Sequence, residues 1–156
     1  MKYIKGKNYQ VTKEELVVLP FEVPAFCVAE GLVSVYPFRN TRHMTIRKGW
    51  TWDGASFFLF KWFGTPETWV LPSLHHDALY APIRRGVIGR EYRKPIDRMF
   101  RDGIYTRMCA KWVPRFWRLG PAVELIIRLI AWLAYQAIRV GGNFAVRKDV
   151  IEREVF

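Results

Sequence analysis

The sequence predicts a single α+β domain over residues 1–156, in which a small antiparallel β-sheet precedes a helical part. Its 156 residues suffice for one core, because a chain of this size buries roughly two-thirds of its unfolded surface. Hydrophobic residues make up 51% of the chain and seven residues are Trp, which excludes intrinsic disorder. We expect residues 1–50 to be β-rich, residues 51–142 to form a helical core, and residues 143–156 to form an extended C-terminal arm.

The β-rich part is predicted from short runs of β-branched and aromatic residues. The runs "LVVLPFEVP", "LVSVYPF" and "HMTIRKGW" are broken by Pro, Gly and "RNT", which is typical of strands joined by turns. The stretch "TWDGASFFLFKWFGTPET" that follows has no sustained period and predicts an irregular, aromatic-rich loop.

Prolines suited to a first helical turn mark the starts of the predicted helices. A first helix should begin at Pro72 and end before Pro82, and a second should run from about Pro95 to near Pro114. The second helix carries an apolar stripe, formed by Ile96, Met99, Phe100, Ile104 and Met108.

A third predicted helix runs from Pro121 to a stop at Gly141-Gly142. It is apolar enough to suggest a membrane span, but charged and polar residues leave less than the roughly 18 uncharged residues that a span needs. We therefore expect a core helix, with a transmembrane helix as the alternative.

The net charge of +11 indicates an anionic partner such as phospholipid, nucleic acid or an acidic protein. A solvated basic surface is the alternative, because the basic residues are spread along the chain. The segment "KWVPRFWR", residues 111–118, mixes basic and aromatic side chains as a lipid-interface segment does, although a connection between helices would also use them. Nucleic acid is the least favoured partner, because no known nucleic-acid-binding module accompanies the charge.

The two cysteines and the N-terminus bear on the cellular compartment. Cys27 and Cys109 are far apart and lack CxxC spacing, so no disulfide framework or zinc site is predicted, and we expect two buried thiols. The N-terminus "MKYIKGKNYQVTKEEL" lacks an apolar h-region, so we expect synthesis in a cytoplasm without a secretory signal.

The stretch "HHDALY", residues 75–80, places two imidazoles near a predicted inward-facing carboxylate. Asp97 shares a helix face with Phe100 and Ile104, so it should be buried, and a buried carboxylate needs a partner. His75 or His76 can supply that partner. A carboxylate that holds one ring nitrogen leaves the other free to accept a proton from water, which is the arrangement of a general base.

A second kind of chemistry is indicated by Asp77, which projects about 100° around the helix from His76. Together with Asp53 and the loop carbonyls of "WDGAS", it would form an all-oxygen site of the kind that calcium prefers. The alternative is structural: a buried His–Asp pair, with Asp77 an ordinary surface residue.

The order D-G-x-S, H-D-x-x-Y and R-x-x-I-D-x-x-F resembles the secreted phospholipases A2, especially their small bacterial and fungal branch. The resemblance implies a core of two antiparallel helices and a further apolar helix. By motif it places the general base on His76, its orienting carboxylate on Asp97 and a supporting phenol on Tyr80. It places calcium ligands on Asp53, the carbonyl of Gly54, and Asp77.

The same signature preceded by a β-rich part ending in "GWTWDGAS" looks closer still to uncharacterised proteins encoded by tailed bacteriophages. One departure from the bacterial enzymes is that Ala55 and Ser73 stand where those enzymes place cysteines. Loss of that disulfide suits a chain that matures in a reducing cytoplasm.

These resemblances imply a phage-encoded, calcium-dependent hydrolase of phospholipid or other lipid esters, acting at an anionic host membrane. The alternative is a non-catalytic virion structural or assembly protein whose C-terminal arm contacts other virion proteins. A metal-dependent phosphohydrolase of the HD type is less favoured, because it would need His43 on a helix and "HMTIRKGW" is typical of a strand.

Overall fold

The computed structural model describes residues 3–5, 9–52 and 66–154, with side chains described over 9–52, 66–116 and 118–141. Asp53, Gly54, Ala55 and the rest of the predicted aromatic-rich loop up to residue 65 lie outside the described residues.

The described N-terminal residues form two antiparallel sheets where the sequence predicts one. The strands are β1 (Tyr3–Lys5), β2 (Tyr9–Val11), β3 (Glu15–Leu19), β4 (Phe26–Val28), β5 (Val33–Phe38), β6 (Thr41–Ile46) and β7 (Thr51–Trp52). One sheet has the order β1-β2-β7 and the other β3-β6-β5-β4. Met44 of β6 is fully buried and lies opposite Val17 of β3 on one side and Val35 of β5 on the other.

The described C-terminal residues form three α-helices: α1 (Glu67–Arg84), α2 (Arg93–Trp112) and α3 (Gly120–Glu154). Short 3₁₀ segments, Arg90–Tyr92 and Val113–Leu119, precede α2 and α3. The mixed α+β class is confirmed, and α2 begins and ends within two residues of its predicted limits.

The predicted limits of α1 are wrong at both ends, because Pro72 and Pro82 lie inside the helix. Each proline removes one backbone hydrogen bond. Burial of Trp69 before Pro72 and of Ile83 after Pro82 offsets this loss, since both side chains are almost fully removed from solvent.

Gly86, which was not recognised as a stop signal, follows α1 with a left-handed backbone at φ +70°. Its N–H donates to the carbonyl of Ile83 at 3.0 Å, and that of Val87 donates to the carbonyl of Pro82 at 2.9 Å. These two bonds make a Schellman motif, which satisfies the last carbonyls of the helix.

The predicted stop of α3 at Gly141-Gly142 is also wrong, because the helix continues to Glu154. The prediction of an extended arm is therefore wrong over residues 143–154, which are helical. A glycine inside a helix costs about 1 kcal/mol relative to alanine. That cost does not end a helix whose following residues, "NFAVRKDVIERE", contain no proline.

Two apolar clusters join these elements. The larger one packs the four-stranded sheet against α1 and includes Val33, Met44, Ile46, Leu74 and Leu79. The smaller one joins the three helices through Trp69, Phe100, Ile104, Ala131 and Ala134.

Helix α3 is less buried than a core helix would be. Its segment Gly120–Gly141 has 22 residues, and the mean hydropathy of its most apolar stretch is 1.4, so it is long and apolar enough to span a membrane. Only 17% of the residues in that stretch are buried. The prediction of a core helix is therefore wrong for most of this segment. The prediction of two buried thiols is wrong as well, because Cys27 is exposed and Cys109 half-buried.

Candidate active site

Helices α1 and α2 run in opposite directions and bring the predicted site residues together. At one end Lys111 of α2 donates a hydrogen bond to Glu67 of α1 at 2.9 Å. Midway, Gly103 of α2 faces Pro72 so closely that a Cβ at Gly103 would lie 3.2 Å from the proline ring. This close approach positions α2 against the face of α1 that carries His76.

His76 and Asp97 form the predicted contact. His76 Nε2 lies 3.0 Å from Asp97 Oδ1, and the Tyr80 hydroxyl donates to the same oxygen at 2.6 Å. The His76 and Tyr80 rings stack with centroids 4.2 Å apart, as residues one helical turn apart can. Asp97 is 0% exposed, whereas the His76 side chain keeps 12% of its surface in contact with solvent.

Arg139 of α3 is a further partner of Asp97 that the motifs did not identify. Its Nη1 donates to Asp97 Oδ2 at 3.0 Å, so both carboxylate oxygens are engaged. The signal in the sequence was a charged residue in a mostly apolar segment of the helix, which indicates a polar partner nearby. Behind Tyr80, Arg93 Nε donates to the phenol oxygen at 3.3 Å.

The hydrogen bonds and charges around Asp97 shift the pKa values of the neighbouring side chains. Burial raises the pKa of the Asp97 carboxyl, but hydrogen bonds from His76, Tyr80 and Arg139 outweigh burial and hold that pKa below its usual value. Burial lowers the pKa of His76, but the carboxylates of Asp77 and Asp97 outweigh it and leave the pKa raised. Burial and the Asp97 charge raise the pKa of the Tyr80 phenol, so Tyr80 remains a hydrogen-bond donor.

The two adjacent histidines differ in their surroundings. His75 Nε2 is buried and has no hydrogen-bond partner among the described residues, and the nearest carboxylate oxygen, on Glu15, is 3.9 Å away. Burial and the nearby Arg107 lower the pKa of His75 to about 4. His76, and not His75, is therefore the histidine paired with Asp97.

A cavity of about 440 Å³ opens beside both histidines, between strand β3 and helices α1 and α2. We call it the His76 cavity. Most of its lining is apolar and includes Val17, Leu71, Leu79, Ile96, Met99 and Phe100. Thr106, Arg107 and Asp102 add a hydroxyl, a cation and a carboxylate to the lining. The arrangement places a histidine–carboxylate pair at the wall of an apolar cavity.

Of the predicted calcium ligands, Asp53 and Gly54 lie outside the described residues and Asp77 lies within them. The Asp77 carboxylate is 3.9 Å from His76 Nδ1 and 4.0 Å from Arg84 Nη2. At these distances it acts on both groups through its charge rather than through hydrogen bonds. The described side chains include no group of three or more metal-binding residues.

The start of the predicted calcium loop is attached to α1. Trp52 is the last described residue before Asp53, and its ring Nε1 donates to Ser73 Oγ at 3.2 Å. Ser73 is buried and donates in turn to the carbonyl of Val70 at 2.8 Å. Ser73 thus connects the end of β7 to α1 by a hydrogen bond.

His43 does not meet the requirement of the HD-type alternative. It lies on strand β6 and not on a helix, with Nε2 3.0 Å from Thr41 Oγ1. Its ring packs between those of Tyr36 and Phe38 on the sheet. The structure therefore gives no support to a phosphohydrolase that uses His43.

Comparisons with protein-family models, curated proteins and solved structures found no match to this chain.

Proposed function

We propose that the protein is a hydrolase of lipid carboxylic esters, with His76 as the general base and Asp97 as the residue that orients it. The observation that carries this proposal is the 3.0 Å contact of His76 Nε2 with a fully buried carboxylate at the wall of an apolar cavity.

The chemistry uses the two ring nitrogens of His76 differently. Nε2–H donates to Asp97, so Nδ1 is the basic nitrogen, and it lies too far from Asp77, at 3.9 Å, to be occupied by a hydrogen bond. Nδ1 accepts a proton from water as the water oxygen bonds to the ester carbonyl carbon. The same proton then passes to the leaving alcohol oxygen as the carbon–oxygen ester bond breaks.

The class of substrate is inferred from the His76 cavity. Its apolar lining suits an acyl chain, and its volume of about 440 Å³ lies within the range of small-molecule sites. Arg107 in the lining suits an anionic group on the same molecule. The net charge of +11 favours anionic lipid over a neutral ester.

Calcium belongs to this proposal as a cofactor held by Asp53, the Gly54 carbonyl and Asp77. When bound, it would supply positive charge for the oxyanion that forms at the ester carbonyl. The hydrogen bond from Trp52 to Ser73 supports this ligand set, because it attaches the residue before Asp53 to the helix that carries Asp77.

The second candidate function is a non-catalytic structural protein, including the predicted virion component. The observation that favours it is Arg139, which satisfies the second oxygen of Asp97 and makes the network a polar connection between three helices. A buried carboxylate with hydrogen bonds on both oxygens also serves to specify packing.

The two functions are distinguished by fatty-acid release from phosphatidylglycerol vesicles, measured with calcium, with magnesium and with chelator. We expect release with calcium, no release in chelator, and poor substitution by magnesium, which demands a stricter octahedral geometry. His76→Gln should abolish release.

The matched control is His43→Gln, which removes an imidazole on the sheet outside the site. It should release fatty acid as fast as wild type. Absence of calcium-dependent release from any of several lipids by correctly folded wild type would contradict the hydrolase and favour the structural protein.

A further inference from the structure

Helix α3 presents to solvent a stripe of large apolar side chains, which the exposed Gln136 interrupts once. One face of the helix packs on α2 through buried Ile127, Ala131 and Ala134. Large apolar side chains on the opposite face are about half exposed or more, namely Leu125, Ile126, Leu129, Trp132, Leu133 and Val140. We call these six residues the α3 stripe. Exposed apolar surface of this extent on one helix is typical of an interaction site.

The charged side chains of this helix segment are paired within the protein and do not interrupt the stripe. Glu124 accepts hydrogen bonds from Arg128 at 2.7 Å and from Tyr105 at 2.6 Å. Arg139 is bonded to Asp97. A partner that covers the stripe therefore meets a surface that is apolar except for Gln136, and need not desolvate an unpaired charge.

Cationic and aromatic side chains border the stripe. Along one side, a groove of about 420 Å³ between α2 and α3 is lined by Arg101, Asp102, Tyr105, Arg128, Ala131 and Trp132, and Asp102 pairs with Arg101 at 2.7 Å. Before the N-terminal end of α3, Lys111 and Arg115 lie over the ring of Trp112, and Phe116 is 46% exposed. An apolar surface with basic and aromatic borders is the pattern of a helix that lies in the interface of an anionic bilayer.

We propose that the α3 stripe is a membrane-docking surface that inserts into the outer part of an anionic phospholipid bilayer, with the neighbouring arginines at the level of the lipid phosphates. Lipid fits better than a second copy of the chain, because pairing two copies would bring together two molecules of charge +11. Docking along the interface fits better than spanning, because the buried face of α3 and Arg139 are already engaged by α2.

The test is co-sedimentation of the full chain with vesicles, in chelator so that hydrolysis plays no part. Wild type should bind vesicles of equal parts phosphatidylglycerol and phosphatidylcholine more tightly than phosphatidylcholine alone. Leu129→Gln combined with Leu133→Gln should weaken binding at least about tenfold, because two side chains no longer enter the bilayer. The docking proposal does not depend on ester hydrolysis, so it would remain valid if the protein proved not to be a hydrolase.

The matched control combines Leu16→Gln with Val87→Gln. Its two side chains are 57% and 51% exposed, against 55% and 52% for Leu129 and Leu133, but lie outside the stripe. The control should bind vesicles as wild type does. Equal binding by wild type and the stripe variant, or an equal loss in the control, would overturn the proposal.

A second measurement uses the native Trp132 and so does not depend on the folding of the glutamine variants. Phospholipids brominated on their acyl chains should quench tryptophan fluorescence more in wild type than in Trp132→Phe. Equal quenching would overturn the proposal. The proposal would also be overturned if wild type were a dimer and the stripe variant a monomer with unchanged vesicle binding. That result would show that the stripe binds a second copy of the chain.

Discussion

Asp97 is fully buried, and its two oxygens accept hydrogen bonds from His76, Tyr80 and Arg139. A buried carboxylate is stable only when it is paired and hydrogen-bonded. Its spacing on an apolar helix face was sufficient to predict burial and a histidine partner. Arg139 could not be predicted in the same way, because it is 42 residues away in the sequence and its contact depends on how α3 crosses α2.

The first prediction concerns the free energy of unfolding. Asp97→Ala should lower it by about 1–3 kcal/mol, because the change leaves the mostly buried imidazole of His76 without its hydrogen-bond partner. Asp97→Asn should lower it less, since one acceptor oxygen remains. Urea unfolding of both variants gives the comparison, with Asp102→Ala as a control at a 61% exposed carboxylate. Equal stability of Asp97→Ala and wild type would show that the network contributes nothing to the fold.

The second prediction concerns pH. Because the pKa of His76 is raised in the folded protein above its ordinary value of 6.5, the protonated ring stabilises the folded state. This stabilisation is fully present below pH 6.5 and is lost as the pH rises through the folded pKa. The difference in unfolding free energy between wild type and His76→Gln should therefore be larger at pH 5.5 than at pH 9, as measured by urea unfolding. A difference that grows with pH would contradict the raised pKa.

At the scale of the elements, proline and glycine residues did not reliably predict where the helices end. Pro72 and Pro82 did not end α1, because burial of neighbouring apolar side chains offsets a missing hydrogen bond. Gly86 did end it, through a left-handed conformation, whereas Gly141 lies within α3. The sequence alone does not distinguish these glycines, because the difference lies in the backbone angle that packing imposes.

The third prediction follows from the two glycines. Gly86→Ala should destabilise the protein by about 1 kcal/mol, because alanine is strained at a φ of +70°. Gly141→Ala should leave stability unchanged or raise it by up to about 1 kcal/mol, because its new methyl group meets no atom of the described residues within 4 Å and alanine favours the helix. Thermal unfolding of the two variants measures both effects. Clear destabilisation by both substitutions, or stabilisation by both, would contradict the backbone conformations of the two glycines.

For the molecule as a whole, α3 is the element that the sequence predicted least well. Its apolar composition was compatible with a core helix, but only one face finds protein partners in the described residues. The same helix contributes Arg139 to the site and the exposed stripe to the surface. A composition-based prediction cannot separate these faces, since the contacts depend on the packing of α3 against α2.

The fourth prediction tests the connection between α3 and the site. Arg139→Gln should raise the pKa of His76 further, because the Asp97 charge then acts on the ring without a nearby cation. NMR titration of the ring protons measures the shift. Arg128→Gln is the control, because that arginine pairs with Glu124 on the same helix. A lower or unchanged pKa in Arg139→Gln would show that Arg139 does not influence the site electrostatically.

The central claim is that Asp97 holds His76 with its proton on Nε2, which leaves Nδ1 as the base. The most direct test is the ¹⁵N chemical shifts of the His76 ring in its neutral form, recorded above its pKa on the full chain. The structure predicts a protonated Nε2 and an unprotonated Nδ1. A neutral ring with its proton on Nδ1 would contradict the claim, because the nitrogen proposed to take the proton from water would then be a donor and not a base.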